Sequence, residues 1–520
     1  MPTCERLSMM GLGIVIGAVF CQRKNNRRGL RWMLLAAVAY WLWRRLSRRD
    51  SRCHLLTAAA QSTVATAGAR DGEEYGALRR AVLRCIGKDQ ADTSTYASAA
   101  AALSAFVREG HIGVHDLIRK NSQKVLWIHK TLPSVLEGGI AVRFTVQYNL
   151  FGGTVANLGD DAQRDLLAGI LARGELGCFA LTEVGAGVLS GLVVETTATW
   201  LPPSTERSDE CPMQCGRFEL HSPTTGSAKT WISQGLTGRW AVVIARLILP
   251  SQRGAPSARR APPPHHSTSA TDEGGTTMKT DFGPHAFLID MTQCPGDSLR
   301  RSDMPPKTDF NGLDNATLFF QHCVIPHDAL LRGISAVDRD TGTYRLVDPN
   351  VPFSFELVAQ RLLSGRICIA GAALAVMEDV YARCSPPVFE RRIMTGKTET
   401  TDLMRMPFLD DLRRRRRLVT NLLRRFSQSV EDEFMSAAVL GPSLVERIAV
   451  CKIVFVTVAI DFVLELKAKV GSYSLLRSSP FGTQTDLLYV FQFAEGDAGI
   501  LKQKIARDLL TKAAASPTKL

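Results

Sequence analysis

The sequence predicts an α+β fold, with helical segments on both sides of a small β domain. Apolar residues recur at helical spacing from about residue 76 to 172, for example at Leu78 and Val82. From about 176 to 248, segments such as GLVVETTATW and WAVVIARLIL are rich in β-branched and aromatic residues, as strands are. From about 353 onward the pattern is helical again. Because helical and strand segments form separate blocks, the order argues against an alternating βαβ sheet.

The composition is that of a globular protein. The chain has 520 residues, of which 45% are hydrophobic and 22% charged, and this excludes collagen-like, disordered and coiled-coil proteins. The net charge of +13 is concentrated near the start, because residues 1–50 contain ten basic and two acidic side chains. The other residues carry only +5, so the sequence predicts no nucleic-acid partner.

Residues 1–49 are predicted to be a membrane anchor or a targeting segment. They contain two apolar runs, 7–22 and 32–43, and both are shorter than the roughly 20 residues that a spanning helix needs. The tryptophans of the second run and the arginines around it favour a membrane anchor. The Arg-rich, acid-poor composition is also typical of an organellar targeting segment. Residues 50–75, rich in Ala, Thr, Ser and Gly, are predicted to be a linker.

Three domains are predicted after the linker: an N-terminal helical domain at 76–174, a central β domain at 175–345 and a C-terminal helical domain at 346–520. Within the β domain, residues 251–280 are dominated by Pro, Ser, Thr and Gly and lack apolar anchors. Such a segment cannot bury enough apolar surface to offset the entropy of ordering, so it is predicted to be a disordered insertion.

The twelve cysteines are scattered, which favours reduced thiols over a disulfide scaffold. Cys211, Cys215 and His221 have the spacing C-x3-C-x5-H. No second pair completes the four ligands of a structural zinc site, so the cluster is interpreted as a loop and no metal is predicted.

Seven segments between about residues 143 and 512 carry the motifs that matter for function. In order, they are FTVQYNLFGG (144–153), GCFALTEVGAG (177–187) with ETTATW (195–200), KTWISQG (229–235), HAFLID (285–290), NGLDNATLFFQHCVIPHDALL (311–331), LLSGRICIAGAALA (362–375) and FAEGDAGILKQKIARDLL (493–510). This series resembles the acyl-CoA oxidase and acyl-CoA dehydrogenase family. The resemblance implies an acyl-CoA dehydrogenase-like fold, an FAD cofactor and a homodimer or homotetramer. It also implies oxidation of a fatty acyl-CoA to the trans-2-enoyl-CoA in fatty-acid β-oxidation.

The resemblance assigns the catalytic base to Glu495, in the E-G-D sequence 495–497. The α-proton of a thioester is only weakly acidic, so a base must be held against it in a water-poor site. The neighbours Phe491 and Phe493 are apolar, and such surroundings are expected to raise the pKa of the carboxyl group. From the residues alone, the simpler interpretation of Glu495 is an ordinary surface glutamate at the start of a helix.

The same resemblance implies a set of binding residues. The FAD contacts are predicted to be Thr182, Gly187, Trp231, Ser233, Asp497 and Arg392, the last reaching the FAD pyrophosphate of a neighbouring subunit. The substrate contacts are predicted to be Asp314 and Asn315. Without the resemblance, these would be strand, core, surface and turn residues.

The flavin loop departs from the family pattern. Ala186, Val188 and Leu189 stand where oxidases usually have the His, Ser and Asn of G-H-G-S-N. The loop still favours an oxidase with O2 as acceptor. Only 25 residues of this sequence follow Glu495, too few for the second C-terminal domain of an oxidase. This favours a dehydrogenase that passes electrons to an electron-transfer flavoprotein. A third hypothesis is a membrane-associated pseudoenzyme with an eroded flavin site.

The sequence also predicts a location. Thr518-Lys519-Leu520 differs from the peroxisomal S-K-L signal at one position, which predicts a peroxisome-type organelle. If residues 1–49 are instead an import signal, a mitochondrion is the alternative.

Overall fold

The computed structural model describes residues 73–87, 94–186, 193–203, 216–251, 279–348, 360–385, 388–396 and 399–514. Several predicted features lie outside these residues: the segment 1–49, the linker apart from its last three residues, Cys211 and Cys215, nearly all of the insertion, Gly187 and the C-terminal tripeptide. Within the described part of the chain, no helix has both the length and the apolar character to span a bilayer.

The described residues form two compact units. One, here called the helical unit, comprises the residues up to Arg80, Leu126–Gly138 and the residues from Leu363 onward. The other, here called the sheet unit, comprises Ala81–Val125 and Gly139–Leu362.

The helices before residue 173 are short. They are α1 (Glu73–Ile86), α2 (Tyr96–Arg108), α3 (Val114–Leu117), α4 (Gln123–His129), α5 (Leu132–Val135), α6 (Gly138–Thr145), α7 (Gly153–Leu158) and α8 (Asp161–Ala172). Two of them begin at capping boxes. Thr95 accepts from the Ser98 backbone at α2, and Asp160 accepts from the Gln163 backbone at α8. In return, the side chains of Ser98 and Gln163 accept from the backbone N–H groups of Thr95 and Asp160. Each box therefore satisfies two N–H groups that would otherwise be unpaired.

A π-helix, Val146–Gly152, separates α6 from α7 within the FTVQYNLFGG motif. Its Gln147 side chain accepts from the Gly177 N–H at 2.9 Å and donates to the Glu175 carbonyl at 3.2 Å. A Cβ at Gly177 would lie 2.5 Å from the Phe151 ring, so only glycine permits this approach. The π-helix therefore anchors the start of the first strand. Such helices are frequent at functional sites.

The sheet unit contains eleven described strands. They are β1 (Gly177–Ala180), β2 (Thr197–Leu201), β3 (Arg217–His221), β4 (Lys229–Ser233), β5 (Trp240–Pro250), β6 (Lys279–Asp290), β7 (Leu299–Asp303), β8 (Asn315–Phe320), β9 (Cys323–Pro326), β10 (Ser335–Val337) and β11 (Tyr344–Leu346). A six-stranded sheet has the order β1-β5-β2-β3-β9, with β6 also paired to β5. A second sheet has the order β4-β8-β7. Their buried faces share one apolar core that includes Phe218, Val243, Phe287 and Phe320.

The helical unit is built mainly from the helices that follow residue 360. They are α9 (Gln360–Arg383), α10 (Pro407–Ser436), α11 (Pro442–Val470), α12 (Phe481–Phe493) and α13 (Ala498–Ala514). A short hairpin, β12 (Arg392–Met394) with β13 (Thr400–Asp402), interrupts the helical pattern. Ala449 and Ile453 of α11 pack with Leu501 and Ile505 of α13. This apolar contact holds α13 and the turn before it against α11.

Candidate functional site

Thr182 and Trp231 belong to two segments that lie side by side in the sheet unit. The Thr230 N–H donates to the Thr182 carbonyl at 2.9 Å, and the Val184 N–H donates to the Ala228 carbonyl at 2.9 Å. The Thr182 side chain is exposed. Two motifs about fifty residues apart in the sequence are thus neighbours in the sheet unit.

Trp231 is presented to solvent by a strained backbone. Its side chain is 56% exposed, although tryptophan is among the residues with most to gain from burial. Its φ is +57°, in the left-handed region that bulky residues avoid, and the pairing of β4 with β8 is irregular between Lys229 and Ile232. Strain of this kind costs about 1–3 kcal/mol and clusters at ligand-binding sites. The bulge explains why the indole faces outward while Ile232 faces the core.

Ser233 and Asn315 are paired across β4 and β8. The Asn315 amide donates to the Ser233 hydroxyl at 3.0 Å and approaches the Trp231 carbonyl at 3.5 Å. Because Asn315 is buried and donates to Ser233, it supports the strand that carries Trp231. The structure thus brings Thr182, Trp231, Ser233 and Asn315 into one cluster.

Beneath this cluster lies a buried ion pair that the sequence did not reveal. The Lys229 ammonium donates to the Glu183 carboxylate at 2.7 Å, and both side chains are fully buried. Glu183 also accepts from the Thr196 hydroxyl at 2.7 Å, and Lys229 also donates to the Ile244 carbonyl at 2.7 Å. Burial lowers the pKa of Lys229, and Glu183 opposes that shift. The pair ties the residue after Thr182 to the strand that carries Trp231.

Asp314, a predicted substrate contact, makes several buried contacts within the fold. Its carboxylate pairs with Arg143 at 2.6 Å, and both side chains are fully buried. It also accepts from the backbone N–H groups of Leu236 and Thr237 at 2.7 and 3.1 Å, and from the Thr237 hydroxyl at 2.9 Å. The carboxylate therefore shapes the turn after Ser233, and its predicted substrate contact stays a prediction.

Glu495 lies in an unusual turn of the helical unit, between α12 and α13. Its φ is +56°, and that of Gly496 is +95°. Arg366 of α9 donates from Nε to the Glu495 carbonyl at 2.8 Å. Burial lowers the pKa of this guanidinium, and the Glu495 carboxylate opposes the shift.

The Glu495 carboxyl group lies against Gly365, the residue before Arg366. Of the apolar neighbours expected from the sequence, Phe491 is buried, whereas Phe493 is 57% exposed. The glutamate is therefore held by its backbone and by contact with α9, and it is not an ordinary first residue of a helix.

Two other predicted residues make local contacts. Asp497 accepts from the N–H groups of Gly499 and Ile500 at 2.7 and 3.2 Å, which caps the start of α13. Arg392 is exposed and donates to the Thr400 hydroxyl across the β12–β13 hairpin. Their predicted FAD contacts stay predictions.

The residues that sequence reasoning missed are mostly buried charges and one glycine. They are Arg143, Glu183, Lys229, Gly365, Arg366 and Lys452. Lys452 carried a usable signal, because it is the one charged residue between Ile448 and Ile460. A charge inside an apolar helix is rarely buried without partners. The other missed residues have both polar and apolar neighbours in the sequence, so they do not stand out as Lys452 does.

Comparisons with known proteins agree with these motifs, although no family model matches the chain. The chain is 28% identical over 432 residues to acyl-coenzyme A oxidase 2, peroxisomal, of Arabidopsis thaliana, covering 79% of this chain and 56% of the relative. It thus spans about half the length of that relative.

The fold is similar to solved structures of both oxidases and dehydrogenases. One is acyl-CoA oxidase-2 of Caenorhabditis elegans bound with FAD, ascaroside-CoA and ATP, with a TM-score of 0.61, 19% identity, and 85% of this chain and 62% of that chain covered. Another is butyryl-CoA dehydrogenase from Megasphaera elsdenii, with a TM-score of 0.59, 14% identity, and 85% and 98% covered. At such identities these structures show the fold alone, and they confirm the acyl-CoA dehydrogenase-like fold that the motifs predict. The chain is thus similar in sequence to an acyl-CoA oxidase, and it shares the fold of acyl-CoA oxidases and acyl-CoA dehydrogenases.

Proposed function

We propose that the chain is a flavoenzyme that oxidises a fatty acyl-CoA to the trans-2-enoyl-CoA, with Glu495 as the base. The observation that carries the proposal is the turn at Glu495. A non-glycine residue is held at positive φ, its carbonyl is bound by Arg366, and its carboxyl group occupies space that Gly365 leaves open. Strain that the surroundings maintain is typical of residues that must be precisely directed.

FAD fits the residues of the sheet unit. An exposed, strained Trp231 beside an exposed Thr182 offers an aromatic surface and a hydroxyl group, which suit a planar ring with polar edges. The C. elegans relative of similar fold is bound with FAD. Bound FAD would supply the electron acceptor within the protein. Ser233 and Asn315 would keep Trp231 in place, and Arg392 would bind the pyrophosphate of the FAD in a neighbouring subunit.

The protein's part in the chemistry is to move one proton and to stabilise one oxygen. The Glu495 carboxylate would take the α-proton of the thioester. The negative charge that develops on the thioester oxygen needs fixed hydrogen-bond donors, and the Glu495 N–H is the proposed protein donor. A turn with a fixed backbone suits both roles, because it sets the direction of the donor and of the carboxyl group together.

The final electron acceptor is proposed to be O2. The named sequence relatives are acyl-CoA oxidases, which favours this choice. The dehydrogenase alternative has its own support, since the fold covers 98% of the butyryl-CoA dehydrogenase chain. The names of the relatives also favour a peroxisome, whereas membrane association through residues 1–49 stays a hypothesis.

The test is an anaerobic titration with acyl-CoA, in which bleaching of the flavin absorbance is followed, for wild type and Glu495→Gln. Gln is nearly isosteric with Glu but cannot take a proton at neutral pH. We expect bleaching to slow by about 10²–10⁴-fold, with FAD content and acyl-CoA binding unchanged. Glu399→Gln, at an exposed position of the helical unit, is the matched control.

Bleaching of Glu495→Gln at the wild-type rate would refute Glu495 as the base. Purified wild type that holds no flavin even after FAD is added would favour the pseudoenzyme instead. Admission of air to the reduced wild type then separates the acceptors, because an oxidase recovers its absorbance rapidly and a dehydrogenase does so slowly.

A further inference from the structure

Lys452 is a buried lysine with three backbone partners. It lies within the apolar stretch of α11 and is fully buried. Its ammonium group donates to the carbonyls of Gln492 at 3.2 Å, Ala494 at 2.7 Å and Gly496 at 2.5 Å. An ammonium group has three N–H donors and no acceptor, so these three carbonyls match it completely.

The three carbonyls belong to the turn that carries Glu495. Gln492 lies in the last turn of α12, where carbonyls lack partners within the helix and attract a positive charge. Ala494 and Gly496 stand immediately before and after Glu495. The ammonium group therefore gathers the peptide groups on both sides of Glu495 around one point.

This arrangement accounts for the left-handed backbone at Glu495. A non-glycine residue at positive φ persists only where its surroundings hold it. Arg366 binds one carbonyl of the turn, at Glu495 itself, and Lys452 binds the carbonyls on either side. Without the ammonium group, the turn would be free to relax towards negative φ, and the carboxyl group would change direction.

We propose that Lys452 is a positioning residue, which directs the Glu495 carboxyl group by holding the turn on both sides of it. This inference rests on the proposed function of Glu495 as the base. It goes beyond that proposal because Lys452 is assigned a part in the proton abstraction without touching the substrate.

The protonation of Lys452 gives the proposal a pH dependence. The pKa of Lys452 is lowered to about 7, mainly by burial and also by the Arg366 cation, while the carboxylates of Glu495 and Asp497 oppose the shift. A neutral amine has only two N–H donors for three carbonyls. Loss of the proton therefore releases one contact of the turn.

The test isolates proton abstraction from the rest of the reaction. A 3-thia-acyl-CoA has an α-proton, but sulfur at the β position leaves no β-hydrogen to transfer. Exchange of its α-protons in deuterated water, followed by mass spectrometry, therefore reports on the base alone. We expect Lys452→Met to slow exchange by about 10²-fold, because displacement of a base by about 1 Å has that effect. FAD content and the Kd of the analogue should not change.

Lys467→Met, half-buried on the same helix, is the matched control and should exchange at the wild-type rate. Lys452→Arg keeps the charge and several donors, so it should restore much of the exchange. In wild type, exchange should fall as the pH rises above about 7. Lys452→Arg should lack that fall, because arginine stays charged.

The two proposals fail in different ways. If Glu495→Gln exchanges like wild type, Glu495 is not the base and the proposed function fails. If Glu495→Gln loses exchange while Lys452→Met keeps the wild-type rate, only the positioning role of Lys452 is overturned. Should Lys452→Met not fold, Lys452→Gln decides, because its uncharged amide has only two N–H donors for the three carbonyls and exchange at the wild-type rate in this variant would overturn the inference.

Discussion

Gly365 provides the space in which the Glu495 carboxyl group lies. A Cβ built at Gly365 would be 2.4 Å from both Cδ and Oε1 of Glu495, and 2.8 Å from its Cγ. Glycine inside a helix destabilises it by about 1 kcal/mol relative to alanine, so its presence in α9 needs a packing reason. The close approach of the Glu495 side chain is that reason.

Gly365→Ala should therefore displace the carboxyl group and leave the fold intact. The clash is with the end of a flexible side chain, which can move away. Because the base would no longer point as it does, we expect flavin reduction by acyl-CoA to slow by about 10²-fold. Stopped-flow absorbance measures this rate.

Gly371→Ala, on the same helix, is the control. Its added Cβ would contact the Lys130 side chain, and the variant should reduce flavin at the wild-type rate. Normal reduction in Gly365→Ala would show that the position of the Glu495 carboxyl group is unimportant.

Trp231→Ala and Thr182→Val should lower the FAD content of the purified protein. Both side chains are exposed, so neither substitution opens a cavity in the core, and the melting temperature of the FAD-free protein should not change. The ratio of flavin to protein absorbance measures the effect. Thr199→Val, in β2 of the same unit, is the control for the loss of a hydroxyl group. Full FAD content in both variants would place the flavin elsewhere.

Glu183→Gln should destabilise the sheet unit by about 3–5 kcal/mol, because it leaves the buried Lys229 ammonium without its counter-charge. Chemical denaturation measures the free energy of unfolding. Adding Lys229→Met should recover part of the loss, since the unpaired charge is removed while the introduced side-chain amide can still accept from Thr196. Glu195→Gln, at a half-buried position nearby, should have little effect. A double variant that is less stable than Glu183→Gln would contradict this account of the pair.

Lys452 should make folding stability depend on pH above neutrality. Its pKa is about 7 in the folded protein, against an ordinary value of 10.5. Between these values the unfolded chain binds the proton and the folded chain does not, so the free energy of unfolding rises with pH. Urea denaturation from pH 7 to 9.5 should show a steeper rise for wild type than for Lys452→Met. Parallel slopes would mean that Lys452 titrates near its ordinary pKa in the folded state.

The sequence by itself determined the fold class and the identity of the motifs. The change from helical spacing to β-branched segments and back predicts the α+β order, because each period reflects the geometry of its own secondary structure. The E-G-D segment and the T-E and W-I-S-Q-G segments could be recognised as they stand, because they are short and contiguous.

Only the tertiary structure decided which residues touch. Glu183 and Lys229, Arg143 and Asp314, and Gly365 and Glu495 are distant in sequence, and no periodicity relates the members of each pair. Asp314 shows the consequence, because nothing in its G-L-D-N motif indicates that Arg143 donates to its carboxylate. The left-handed turn at Glu495 likewise depends on Arg366 and Lys452, which packing brings from two other helices. Contacts of this kind depend on how helices and strands pack, and the spacing of residues within one segment does not predict them.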